Sequence, residues 1–180
     1  GVGEFEHGDP VSLSAPIIDG YKFIGWEEES TIISESMVLN FSAGADRHLV
    51  AKYERIEYKV QAYAFDDEMG SAGASAETYY YGETVELSVT PEPGYKFVKW
   101  VDAEDNFVSD DPYYSFEIND TDMPTEYVFK AHFERIKYNI QTSVNPENAG
   151  VVNVEGDGAE NTDVTLTAVP AEGYIFTGWN

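Results

Sequence analysis

Apolar and polar residues alternate along three separate stretches of this chain, and the three are alike. Val11, Leu13 and Ala15 share one parity, as do Val85, Leu87 and Val89, and then Val164, Leu166 and Ala168. A period of two places such side chains on one face of a half-buried β-strand. Each stretch closes on a proline, Pro16, Pro91 or Pro170, which has no N–H to give to a sheet ladder and so marks the strand's exit. An aromatic motif follows within a few residues. Gly20-Tyr21-Lys22-Phe23-Ile24-Gly25-Trp26 returns as Gly94-Tyr95-Lys96-Phe97-Val98-Lys99-Trp100 and again as Gly173-Tyr174-Ile175-Phe176-Thr177-Gly178-Trp179. These motifs hold all three tryptophans of the chain. The same order of strand, proline and aromatics three times over is an internal repeat. Its glycines stand 74 and then 79 residues apart, a difference that a loop absorbs.

A second landmark sets the repeat boundaries. Residues 49–61 match residues 129–141 when Ala51 is laid over Ala131, 80 residues further on. Leu49, Ala51 and Tyr53 lie on one parity, whereas Ile56, Tyr58, Val60 and Ala62 lie on the other, and the same slip falls between Phe133 and Ile136. A shift of one residue turns every side chain of a strand to the opposite face. Two strands serving two cores therefore meet at Arg55/Ile56 and again at Arg135/Ile136. The predicted units are 1–55, lacking a first strand; 56–135, complete; and 136–180, lacking the final strands.

Within the complete unit, strands are predicted near 57–64, 74–81, 83–90, 96–102, 113–118 and 126–134. Turns are expected at Gly70, Gly73 and Gly82 and over 102–111 and 119–124. Sustained helical periodicity is absent, so the predicted class is all-β, mainly antiparallel, in small tandem β repeats. No Gly/Ser-rich or Pro-rich linker separates the units, which restricts relative motion and favours a rod over loose beads. That suits a spacer. A half-repeat cannot bury its own apolar face. Residues 136–180 are expected to pack head to tail against a neighbouring molecule's first repeat or to dock on residues 56–135 of their own chain.

Composition narrows the function. Hydrophobic residues make up 42% of the 180 positions and aromatics 14%, enough for packed cores. Thirty-four acidic residues against ten Lys and Arg give a formal charge of -24, spread along the chain as a solvated surface. Nucleic-acid phosphates and an anionic membrane are repelled by such a surface, so neither nucleic-acid binding nor direct membrane contact is expected. With no cysteine, disulfides, thiolate metal sites and cysteine nucleophiles are excluded. No apolar run reaches the length of a membrane span, and no basic-then-apolar signal peptide opens the chain at Gly1. Targeting segments are expected outside these residues.

Four features in order carry a resemblance to a known family. They are the strand ending in Ala-Pro or Thr-Pro, the Gly-Tyr-x-Phe-x-x-Trp motif, the Asp122-Met123-Pro124 turn, and the closing Ala131-His132-Phe133-Glu134. Over essentially its whole length the chain resembles the divergent internalin-type B-repeats, related to the Listeria-Bacteroides repeats, of bacterial surface proteins. The resemblance implies export to the extracellular space, cell surface or cell wall, and brings no catalytic residues. It also implies small β-rich units similar to a β-grasp, which adds an α+β alternative to the fold class. The repeat length near eighty residues and Lys99, in place of the glycine before the second Trp, depart from the common pattern.

The candidate chemistry is sparse. Tyr21, Phe23, Trp26, Tyr95, Phe97, Trp100, Tyr174, Phe176 and Trp179 recur in one slot of every copy, as a small core requires; the competing reading is a sugar-stacking platform. Tyr79, Tyr80 and Tyr81 are consecutive, so a strand must turn at least one ring outward, and Tyr80 is the candidate ligand contact, with Tyr113 and Tyr114 beside it. Asp102, Asp105, Asn106, Asp110 and Asp111 crowd one loop and make a candidate calcium site, although without EF-hand spacing; a solvated Asx turn is the expected outcome. His7, His48 and His132 are scattered, and His132 is expected on the outward, solvated side of its strand. Gly156-Asp157-Gly158 reads as a hairpin turn, and no Gly-x-Ser-x-Gly elbow exists. The expectation is a non-enzymatic module without a cofactor, acting as a stalk or spacer, or alternatively as an adhesin for a host or envelope protein or glycan. Its nearest partners are adjacent repeats of the same protein.

Overall fold

The computed structural model describes residues 3–119 and 124–180, so Asp122 and Met123 of the expected turn lie outside the described residues. The first repeat supplies β1 (Pro10–Ser14), β2 (Tyr21–Glu28), β3 (Thr31–Ser34), β4 (Val38–Ser42) and β5 (Val50–Arg55). β1 pairs with β4, and β2 lies between β3 and β5, all antiparallel. The second repeat adds β6 (Tyr58–Ala64), β7 (Gly70–Ala74), β8 (Thr78–Tyr79), β9 (Thr84–Pro91), β10 (Tyr95–Val101), β11 (Phe107–Ser109), β12 (Ser115–Glu117) and β13 (Glu126–Arg135). Its sheets run β11-β10-β13-β6-β8 and β12-β9-β7. The third contributes the hairpin of β14 (Gly150–Glu155) and β15 (Thr165–Pro170).

The copies share strand order and irregularities as well as sequence. The β3-β2-β5 arrangement returns as β11-β10-β13, and β1-β4 returns as β9-β12. The register between β2 and β5 slips between Phe23 and Gly25, and that between β10 and β13 slips between Phe97 and Lys99. A second slip follows each Trp, at Trp26/Glu27 and Trp100/Val101. Such a bulge bends a strand and re-aims its side chains, and at both places it brings Trp and Phe together, with ring centroids 6.1 Å apart for Phe23–Trp26 and 5.7 Å for Phe97–Trp100.

The all-β class holds: no helix occurs among the described residues, so the α+β alternative is not what forms, and none is long and apolar enough to cross a membrane. Two strand expectations change. In place of the predicted strand 74–81, β7 takes up 70–74, running through Gly70 and Gly73 where turns were expected, and only β8 at 78–79 follows, because the Tyr79 hydroxyl closes a turn between them, accepting from Ala76 N–H at 2.7 Å and bonding Ser75 Oγ at 2.9 Å. The expected turn over 102–111 contains β11. The third alternating stretch is a strand, yet Leu166 on β15 is exposed, and β15 pairs with β14 alone in a two-stranded sheet.

Contacts divide the chain into two compact units. The first comprises residues 1–61, 74–86 and 115–128. Its buried side chains include Val11, Ala15, Trp26, Tyr58, Val60, Tyr79, Val85 and Ile118. The second comprises residues 62–73, 87–114 and 129–180 and buries Leu87, Val89, Trp100, Val101, Phe129, Ala131 and Ala159. Parity decides these lists. Val85, Leu87 and Val89 are buried in alternation with exposed neighbours, and Tyr58 and Val60 are buried on the parity opposite to that of Ala51 and Tyr53.

Candidate functional site

The places where one repeat hands over to the next are the most constructed local features of the chain. β5 ends at Arg55, and Ile56 N–H donates to the carbonyl of Gly20 at 2.9 Å. Gly20 has φ +74°, and a Cβ there would lie 2.4 Å from Tyr81 Cβ, so both the backbone conformation and the close approach require glycine. The Arg55 guanidinium lies 3.9 Å from the centroid of the Tyr80 ring, a cation–π contact. Tyr81 Oη donates to Asp19 Oδ2 at 3.5 Å. Partial burial and the Asp19 charge push the Tyr81 hydroxyl above its usual pKa. Residues of the first repeat are thus covered by consecutive tyrosines of the second.

The next junction repeats the bond with different side chains. Ile136 N–H donates to Gly94 O at 2.8 Å, and Glu160 N–H donates to Ile136 O at 2.9 Å. A Cβ on Gly94 would meet Asn161 Nδ2 only at 3.7 Å, an ordinary contact. Arg135 turns to Tyr95 of its own repeat, 5.9 Å from the ring centroid. Polar groups complete this junction: Tyr138 Oη bonds Glu160 Oε2 at 3.3 Å, and Lys137 Nζ is 3.8 Å from Asp157 Oδ2. The charge of Glu160 raises the Tyr138 pKa, with burial adding to it. Residues 136–138 are in this way tied to Gly94 of the second repeat and to residues 158–160 of their own repeat.

The candidate ligand residues do not converge. Tyr80 is half-buried beneath Arg55 rather than free on the surface, because the arginine that ends β5 is held against its ring. Tyr114 is half-buried as well, while Tyr113 is 73% exposed. In the acidic loop, Asp102 Oδ1 accepts from the N–H groups of Glu104 and Asn106, and its Oδ2 accepts from Asn106 Nδ2. These bonds, those from Asn106 first, hold Asp102 below the usual carboxylate range. Lys130 Nζ donates to Ala103 O and to Asp105, so an ammonium group occupies the mouth of the loop. Asp111 Oδ1 accepts from Tyr113 N–H. Among the described residues no group of three or more His, Cys, Asp or Glu is placed to hold a metal ion.

The recurring aromatics divide by copy. Trp26 and Trp100 are buried, and Phe23 and Phe97 half-buried. Trp100 Nε1–H donates to Asp111 O at 3.1 Å, whereas Trp26 Nε1 is buried with no hydrogen-bond partner among the described residues. Contrary to the expectation of a core, Trp179 is 52% exposed and Phe176 and Tyr174 each 48%, because residues 174–180 belong to no strand and no counterpart of β13 covers them. Tyr21 is exposed and Tyr95 half-buried. His132 is also not the solvated imidazole that parity predicted. It stacks on Phe65 with centroids 4.6 Å apart, and its Nε2 is buried without a hydrogen-bond partner among the described residues. Sequence reading passed over Arg55, Tyr81 and Lys130; the recurrence of Arg at the end of β5 and β13 was the one signal for the first.

No curated protein and no solved structure matches the chain. A family model described as the divergent InlB B-repeat domain matches residues 1–57, 60–137 and 140–180, nearly the full length. The three aromatic motifs fall one in each match, and the doubled bulges and junction bonds are what successive copies of one unit produce. The chain belongs to the divergent InlB B-repeat domain family, which it carries in three successive copies.

Proposed function

We propose that this chain is a run of stalk repeats in an exported bacterial surface protein, spacing a functional domain from the envelope and performing no chemistry of its own. The observation that carries the reading is the bond from Ile56 to Gly20 and its repetition from Ile136 to Gly94. Each ties the residue that follows a repeat's last strand back to the glycine that opens the aromatic motif of that repeat, at the edge of the next one. A spacer needs joints that hold, and a main-chain bond at a glycine of left-handed φ, +74° at Gly20 and +90° at Gly94, is such a joint. The charge of -24 suits an exposed protein that must remain soluble.

Amide 15N relaxation across residues 52–60 tests this. A fixed joint gives order parameters at residues 54–58 of about 0.85, equal to those within β5 and β6, and values under about 0.6 overturn it. Antibody labelling of intact producing cells tests the location. A second reading, adhesion to a glycan or glycoprotein, is favoured by the 73% exposure of Tyr113; saturable glycan-array binding abolished by Tyr113→Ala would establish it.

A further inference from the structure

Among the described residues, two strand edges of the second repeat have no strand beside them, and they line one groove. β7 is the outer strand of the β12-β9-β7 sheet. Ser75 N–H donates to Glu86 O, and Met69 O accepts from Glu92 N–H, so the odd-numbered residues here face β9. Backbone groups alternate sides along an antiparallel strand. The N–H and C=O of Gly70 and Ala72 therefore point away from β9, with Gly70 buried beside the Phe133 ring and Ala72 half-buried.

β6 has the same condition at its far end. Lys59 N–H donates to Thr125 O and Phe65 N–H to Ala131 O, both on the β13 side, while Val60 N–H donates the other way, to Glu77 O. β8 is in register with Tyr58 and Lys59 only, so Ala62 and Ala64 present their backbone groups beyond its end. A groove of about 660 Å³ lies here, lined by Ala64 and Phe65 from one side, by Gly70 and Ala72 from the other, and by Asp66 and Asp67 in the turn. Residues 70–74 read Gly-Ser-Ala-Gly-Ala. They carry neither the lysine nor the proline that commonly protects a sheet edge, and their small side chains leave room for another strand.

We infer that this groove takes one extended, cationic polypeptide segment, which adds to the β7 edge through main-chain hydrogen bonds. Its Lys or Arg side chains reach Asp66 and Asp67 and lie over Tyr63 and Phe65, which are 45% and 64% exposed. Charge selects the occupant. A second copy of a chain carrying -24 is repelled, and a basic strand is drawn in. This site is independent of the stalk reading and stands or falls separately.

The test is calorimetric titration of the full chain, at about 0.15 M salt, with a peptide of about six residues alternating lysine and valine. One-site saturable binding is expected, with amide shifts centred on Ala62, Ala64, Gly70 and Ala72. Proline is tolerated on an edge where its missing N–H faces outward, so Ala72→Pro keeps the β9-β7 ladder and weakens binding at least about tenfold. N-methylating the peptide's alternate amides does the same with the protein unchanged, and decides the matter if Ala72→Pro lowers the melting temperature. Absence of binding overturns the proposal. So does binding indifferent to both changes, which marks mere collection of cations by an acidic surface, or equal binding of a glutamate-valine peptide. Self-association of the free chain that Ala72→Pro abolishes would give the groove to a second copy and overturn it too.

Discussion

One tryptophan can be worth several kcal/mol or nothing, according to what covers it. Trp100 is fully buried with its indole N–H bonded, and Trp179 occupies the same motif position with half its surface in solvent. Trp100→Ala is expected to cost about 3–5 kcal/mol in urea unfolding, and Trp179→Ala to stay within about 0.5 kcal/mol. Comparable losses would mean that the third motif is covered in solution. His132 gives a pH dependence. Burial depresses its pKa, with Lys99 and Lys130 acting in the same direction and Asp105 opposing. The unfolded chain then holds the proton more readily, so this contribution to stability is complete above the unfolded value of about 6.5 and is lost as pH falls below it. Melting curves between about pH 5 and 7 should show that decline, and His132→Gln should flatten it.

At the scale of elements, Gly20, which bonds the residue after β5, and Gly82, in the turn between β8 and β9, make a matched pair. Gly20 and Gly82 both have left-handed φ, +74° and +82°, but an added Cβ meets Tyr81 at 2.4 Å in the first case and nothing within 4 Å in the second. Gly82→Ala should cost about 1 kcal/mol for the backbone conformation alone. Gly20→Ala should cost about 3 kcal/mol, because the opposing atom is Tyr81 Cβ, which moves only with its backbone. Denaturant midpoints compare them directly; equal losses would show that the two repeats do not meet at Gly20. The acidic loop before β11 is an element of another kind. Asp102 there accepts from two backbone N–H groups and Asp105 from Lys130.

For the whole molecule, charge is the dominant long-range term. Thirty-four acids against ten bases repel one another in the compact chain more than in the expanded one. Salt screens that repulsion, with a Debye length of about 30 Å at 0.01 M and about 8 Å at 0.15 M. The melting temperature should therefore rise with sodium chloride over this range. A fall would mean that ion pairs such as Arg47–Glu28 and Lys52–Glu27 outweigh the net repulsion.

Alternation and order of motifs determined most of the architecture without help from tertiary structure. The strand at Val85, Leu87 and Val89, the reversal of face between Tyr53 and Ile56, and the recurrence of Phe and Trp are local patterns with a period of two or a fixed spacing. They are legible because a strand's burial depends on its own residues. What the sequence could not decide rests on pairs far apart in the chain. The Tyr79 hydroxyl closes a turn inside a predicted strand. Arg55 covers the tyrosine expected to be free. Lys130 reaches a loop 25 residues upstream, and Phe65 stacks on a histidine expected in solvent. The open edges of β6 and β7 belong with these, because an edge is defined by the strand that is not beside it. No periodicity encodes such a neighbour, so only the folded chain shows where one is missing.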